Sequence, residues 1–181
     1  MVRPADKERS ALLLVDFLNP LDFNRDAAFV RRALAAGRAT QKLIARMRRA
    51  KRPVIYANDH WGEWTRNFDD LIAAIASRPV PGRALVELLV PQAGDYTVLK
   101  PRHSAFYGTP LEFLLDELRI DSLVIAGIAA DNCVLFTASD AYVRKFKLWI
   151  PANCVAAERD AYRVAALAHM RRVLKARTSP A

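Results

Sequence analysis

Only two cysteines, Cys133 and Cys154, occur in the 181 residues, too few for a disulfide framework. In a reducing compartment both are free thiols, and the question is which of them reacts. Long apolar runs are missing as well. The longest, residues 11–15, 88–90 and 123–130, fall far short of the roughly 20 residues that cross a bilayer, so no membrane partner is expected. The first ten residues are polar with no apolar stretch behind them, so no secretory signal is read there and cytoplasmic residence is the expectation. No linker, internal repeat or low-complexity tract divides the chain, and residues 1–181 are read as one domain with a core over about 10–175. The formal net charge of +9 comes without a zinc-finger, aromatic RNA-binding or helix-turn-helix pattern. Its basic residues are spread over several helical segments, so nucleic acid is not expected as a partner. Attraction of anionic small molecules is compatible with the charge.

What is present is a globular composition, 52% hydrophobic and 26% charged. A chain of about 150 residues already buries roughly two-thirds of its unfolded surface, so a core of ordinary size forms without staples. Short apolar runs alternate with longer amphipathic stretches, the pattern of a parallel α/β sheet. Strands are predicted at 11–15, 54–57, 96–99, 122–126 and 147–150, with a sixth left unplaced. Helices are predicted over 26–50, 68–76, 133–145 and 158–175, the first with Ala28, Val30, Leu34, Leu43, Ile44 and Met47 on its core side. Another starts at Thr109-Pro110-Leu111-Glu112, where Thr109 suits an N-cap, Pro110 the first helical position and Glu112 the reciprocal place of a capping box. The fold class is α/β: a three-layer, Rossmann-like parallel sheet of five or six strands flanked by helices.

Three reactive groups stand at the carboxyl ends of predicted strands. Asp16 follows the first, Lys100 the third, and Cys133 the fourth across a short elbow. Ligands of open parallel sheets bind outside those ends, near the switch point of strand order, so residues distant in sequence converge there. Cys133 begins a helix, where unpaired N–H groups and the helix dipole face its sulfur. A nearby lysine is expected to favour the thiolate. A carboxylate can take the thiol proton and return it to a leaving group, and elbow N–H groups can cradle an oxyanion. Taken singly, each residue also has a plain structural reading: a buried small cysteine, a loop aspartate, a solvated lysine.

The local sequences resemble the isochorismatase-like cysteine hydrolase superfamily, which includes nicotinamidases and N-carbamoylsarcosine amidases. The segments are Leu-Leu-Leu-Val-Asp-Phe-Leu-Asn at 12–19, Val-Ile-Tyr-Ala-Asn-Asp at 54–59, Leu-Lys-Pro-Arg-His-Ser-Ala-Phe-Tyr-Gly-Thr-Pro-Leu at 99–111 and Leu-Val-Ile-Ala-Gly-Ile-Ala-Ala-Asp-Asn-Cys-Val at 123–134. The resemblance implies a catalytic triad of Asp16, Lys100 and Cys133. It also implies a cis peptide between Ile128 and Ala129, which would aim the Ala129 and Cys133 N–H groups at the oxyanion. The implied reaction opens a C–N bond of a small amide, carbamoyl or ureido substrate through a thioester on Cys133. Members that cleave the vinyl ether of isochorismate do without the nucleophile, and that chemistry is the enzymatic alternative. A non-catalytic metabolite- or partner-binding member and a redox-sensing thiol are the readings from other classes.

Nicotinamidases hold a metal through an Asp-x-His pair and a further histidine. Here the corresponding stretch reads Asn58-Asp59-His60-Trp61, and no second histidine follows until His103, so no metal and no cofactor are expected. Aromatic residues near the motifs take the place of that site. Phe17, Phe23, Trp61, Trp64, Phe106 and Tyr107 are the candidate substrate wall, with Arg102 and His103 as candidate carboxylate partners. Cys154 is read as structural. Relatives of this kind assemble as dimers or tetramers, so a homo-oligomer is expected.

Overall fold

The computed structural model describes residues 9–23 and 26–181; the expectation drawn from the polar first ten residues falls mostly outside them. In chain order the described elements are β1 (Ser10–Val15), α1 (Ala27–Arg49), β2 (Val54–Asp59), α2 (Phe68–Ala76), α3 (Arg83–Leu89), β3 (Tyr96–Lys100), α4 (Leu111–Glu117), β4 (Ser122–Ile128), α5 (Cys133–Val143), β5 (Lys147–Trp149), β6 (Val155–Ala156) and α6 (Asp160–Val173). The strands form one parallel sheet in the order β3-β2-β1-β4-β5, with β6 pairing β4 beyond the end of β5. β1 and β4 are the continuous apolar runs because they are the central strands, covered on both faces.

Alternate residues of a strand face opposite sides of the sheet, and the core divides accordingly. Leu13, Val15, Ile55, Ala57, Leu123 and Ile125 pack beneath α4, α5 and α6. Leu12, Leu14, Val54, Tyr56, Val124 and Ala126 pack beneath α1, α2 and α3. The result is a three-layer sandwich. The chain leaves β1 for β2 on one side and returns to β4 on the other, so the switch point lies between β1 and β4.

α1 is capped by Asp26, whose carboxylate accepts the Ala28 N–H at 2.8 Å. Arg46, Arg48 and Arg49 lie in its last turn, where cations complement the dipole. Its buried stripe runs through Phe29, Ala33, Ala36, Thr40, Leu43, Ile44 and Met47. Ala28, Val30 and Leu34 are only half-buried, because the stripe that meets the sheet starts one position over, at Phe29 and Ala33. The expected capping box of α4 does not form: Pro110 is the N-cap, Thr109 Oγ1 accepts the Leu111 N–H, and Glu112 reaches across to Arg144.

Two elements escaped the sequence reading. β6 has two residues, too few to show a period. α3 is one short amphipathic segment among Pro79, Pro81 and Pro91, with Leu85, Val86 and Leu89 buried. α3 nevertheless matters to the site, because it holds the loop that follows β1. Gly82 N–H donates to Pro20 O at 2.9 Å. A Cβ on Gly82 would lie 1.7 Å from the Asn19 carbonyl oxygen, so only glycine lets the two backbones meet. Gly82→Ala is therefore expected to destabilise the fold by about 1–3 kcal/mol, the usual penalty of overpacking. Urea denaturation checks it, and an unchanged midpoint would mean that the loop after β1 gives way freely.

Candidate active site

β1, β2, β3 and β4 end side by side, and their last residues or immediate successors supply the site. Asp16 follows β1 with a left-handed φ of 51°, a conformation aspartate tolerates better than most residues. Its N–H still continues the ladder to Ala57 O at 3.0 Å, while its carboxylate turns across the sheet end. Oδ2 lies 2.7 Å from Lys100 Nζ, and Oδ1 accepts the Asp59 N–H at 2.8 Å. Lys100, the last residue of β3, is fully buried and pairs in register with Asp59. Its ammonium also donates to Arg102 O at 3.1 Å and lies 3.8 Å from both Asp59 Oδ2 and Cys133 Sγ. The three residues that the sequence singled out thus meet at one point, Lys100 touching both Asp16 and the Cys133 sulfur.

The elbow that carries Cys133 depends on Gly127, whose φ is 151°. A Cβ there would meet Val15 O at 2.1 Å, so β1 and β4 can run this close only over a glycine. The Ile128–Ala129 peptide is cis. Ala130 N–H is tied to Ala156 O at 2.8 Å, and α5 starts at Cys133. Among the described residues, the N–H groups of Ala129 and Cys133 donate to no backbone acceptor.

Lys100 pulls the Cys133 thiol toward the thiolate, as expected, but other causes outweigh it. Burial and then the negative charge of Asp16 push the Cys133 thiol up to about 12, against the opposing pull of Lys100. Lys100 lies closer to the Asp16 carboxylate than to the sulfur, so most of its charge is spent there. Burial also raises the Asp16 pKa, against the lowering by Lys100 and by the hydrogen bonds it accepts. The resting pair is therefore a thiol beside a carboxyl group whose proton affinity is increased.

A cleft of about 580 Å³ opens beside this cluster, lined by Asp59, His60, Trp61, Trp64, Arg102 and Tyr107 among others. Of the six aromatics expected to form a wall, Trp61, Trp64 and Tyr107 line it. Phe17 and Phe106 do not: both are buried in the cores on opposite faces of the sheet, because their backbones sit at the sheet end with side chains turned inward. Phe23 is exposed against Phe29, outside the cleft.

The metal pattern of the second strand end does not fit a divalent ion. Asp59 Oδ1 accepts the Trp61 N–H, Asn58 is buried with its amide donating to Leu18 O, and His60 Nδ1 accepts the Gly62 N–H at 3.1 Å. No group of three or more His, Cys, Asp or Glu side chains among the described residues could hold a metal. With Nδ1 accepting, a neutral His60 carries its proton on Nε2, which is buried without a partner.

One contact was not anticipated. His103 Nδ1 lies 3.7 Å from Cys133 Sγ, and its ring leans on Phe136 with centroids 5.4 Å apart. The sequence placed His103 near the lysine but gave no sign that the loop after β3 folds back over α5.

The isochorismatase domain model matches residues 10–180. Among curated proteins, the uncharacterised isochorismatase family protein YaaI of Bacillus subtilis is 35% identical over 168 residues, 93% of this chain and 92% of its own length. Maleamate amidohydrolase of Pseudomonas putida is 26% identical over 155 residues, 81% of this chain and 72% of its own. Among solved structures, N-carbamoylsarcosine amidase from Thermoplasma acidophilum superposes with a TM-score of 0.74 at 30% identity, covering 95% of this chain and 96% of that one.

The raised thiol has a measurable consequence. At pH 8 Cys133 is expected to react with iodoacetamide two to three orders of magnitude more slowly than an ordinary thiol, since each pKa unit is about tenfold in thiolate. Asp16→Asn removes the nearest negative charge and should speed alkylation by about tenfold or more. An equal rate in the two proteins would mean that burial alone sets the thiol.

Proposed function

The chain belongs to the isochorismatase family, and as a hydrolase of that family we propose that it opens the C–N bond of a small amide, carbamoyl or ureido compound through a thioester on Cys133. The observation that carries this reading is the meeting of Asp16, Lys100 and Cys133 at the sheet end, with a buried lysine 2.7 Å from the carboxylate and 3.8 Å from the sulfur. The amidase names of the maleamate and N-carbamoylsarcosine relatives support the same bond class.

In the reaction, the Cys133 proton passes to Asp16 as sulfur attacks the carbonyl carbon. Because the resting thiol is so weakly acidic, proton transfer accompanies attack rather than preceding it. Lys100 keeps Asp16 ionised until that moment. The N–H groups of Ala129 and Cys133 receive the developing oxyanion, a contribution worth about 3–4 kcal/mol per donor in related chemistry. Asp16 then returns the proton to the leaving nitrogen. Its raised proton affinity suits it to take the thiol proton.

The cleft selects the substrate. Trp61, Trp64 and Tyr107 offer flat apolar walls. Arg102, exposed at the rim, enters no salt bridge among the described residues and is free to meet a carboxylate. A small amide or ureido acid with a planar body fits this combination. The enzyme is taken to work in the cytoplasm as a homo-oligomer. The apolar surface left on Val143, Tyr162, Val164 and Val173 supports the assembly.

Mass spectrometry of wild type and Cys133→Ala with a pool of small amides, carbamoyl and ureido acids tests the bond class. The expected result is an acyl adduct on Cys133 that decays with product release and is absent from the variant. Product formation by folded Cys133→Ala at the wild-type rate would sink the thioester route. For the substrate so found, Arg102→Gln should raise KM about tenfold with little change in kcat, the loss of one charged hydrogen bond. An unchanged KM would remove Arg102 from recognition.

A further inference from the structure

We propose that His103 is a second acid–base group of this enzyme, taking a proton from the water that hydrolyses the Cys133 thioester and delivering it to the departing sulfur. This rests on the thioester route above and adds a residue to its second half.

Asp16 is well placed for the first half only. It is almost wholly buried, Oδ2 is held by Lys100 and Oδ1 by the Asp59 N–H, so it faces the sulfur from inside the protein. Hydrolytic water must arrive from solvent after the amine has left. His103 stands on that side: it is exposed, and its Nδ1 is 3.7 Å from Sγ.

The placement is built rather than incidental. The loop after β3 is pinned to α5 by Ser104 Oγ on Asp140 and by Ala105 N–H on Thr137 Oγ1 at 3.0 Å. The ring rests on Phe136, three residues along the same helix from Cys133. His103 and the sulfur thus share one frame.

The step balances. A neutral ring with its proton on Nε2 accepts a proton from water at Nδ1 while the water oxygen bonds to the thioester carbon. The resulting tetrahedral centre expels sulfur, the C–S bond breaks, and the Nδ1 proton passes to Sγ. Products are a carboxylic acid, which ionises, and the resting thiol. A thiol as weakly acidic as Cys133 makes a poor unprotonated leaving group, so a proton donor within reach of the sulfur speeds its departure.

The test uses 4-nitrophenyl acetate, whose nitrophenolate reports acylation while intact mass reports the acetyl group on Cys133. His103→Phe keeps a ring against Phe136 and removes the nitrogen; His103→Gln is the second variant should the first fail to fold. The expected result is a nitrophenolate burst near wild-type size, a steady-state rate about 100-fold lower, and accumulated acetyl-enzyme. Hydroxylamine, which attacks thioesters without a general base, should restore turnover. A steady-state rate equal to wild type in a folded variant would overturn the role of His103 alone. The absence of an acetyl adduct on Cys133 from wild type and from both folded variants alike would overturn the nucleophile reading and this one with it.

Discussion

The ion pair between Asp16 and Lys100 is the constraint around which the sheet end is organised. Two opposite charges taken out of water cost several kcal/mol each, and only a close pair with its remaining hydrogen-bonding capacity filled recovers that cost. The protein meets the condition with groups from three strands. β1 supplies the carboxylate, β3 the ammonium, and β2, lying between them, the Asp59 N–H that satisfies the second carboxylate oxygen. The parallel register fixes this arrangement, since Asp59 and Lys100 are direct partners and Val15 pairs with Ala57. A slip by one residue in either pairing would leave a charge buried without its partner. The central sheet and the site therefore stabilise each other.

That pair also sets the character of the sulfur. In many thiol enzymes a cation beside the cysteine lowers its pKa and stores a thiolate. Here the cation lies 2.7 Å from a carboxylate and 3.8 Å from the sulfur, so the charge nearest the thiol in effect is negative. A cysteine so placed is expected to resist alkylation and oxidation, which react through the thiolate. In the proposed reaction it becomes a nucleophile only as its proton moves to Asp16. Cys154 is protected by a simpler route, being fully enclosed among the α1-side apolar residues.

The sequence made the parallel α/β architecture and the convergence of Asp16, Lys100 and Cys133 legible because both are written in short, strong signals. Apolar runs mark β1 and β4, and a polar residue at the end of a buried strand has nowhere to go but the crevice. α2 has the bounds the sequence placed it at, 68–76, and in the structure Asn67 and Asp70 form a capping box there. What failed were inferences that depend on distance between elements. Phe17 and Phe106 sit next to motif residues in sequence but turn into the two cores. The α4 capping box was lost because Glu112 finds Arg144, a partner at the end of α5 that no local pattern reveals. The thiol's high pKa depends on which neighbour holds the lysine more closely, a difference of about an ångström that spacing along the chain does not encode.

The site divides into two parts with different physical constraints. The buried part, Asp16, Lys100, the elbow and its glycine, is fixed by burial and by backbone contacts that tolerate no Cβ at Gly127. The cleft is made of loops that follow β2 and β3, with Trp61, Gly62 and Gly108 in left-handed conformations and Trp64 and Tyr107 largely exposed. Substitution in those loops costs little folding energy, while substitution in the buried part costs a great deal. A fold shared at 30% identity with the Thermoplasma amidase is therefore compatible with a different substrate, because the residues that would choose it are the ones the fold leaves free.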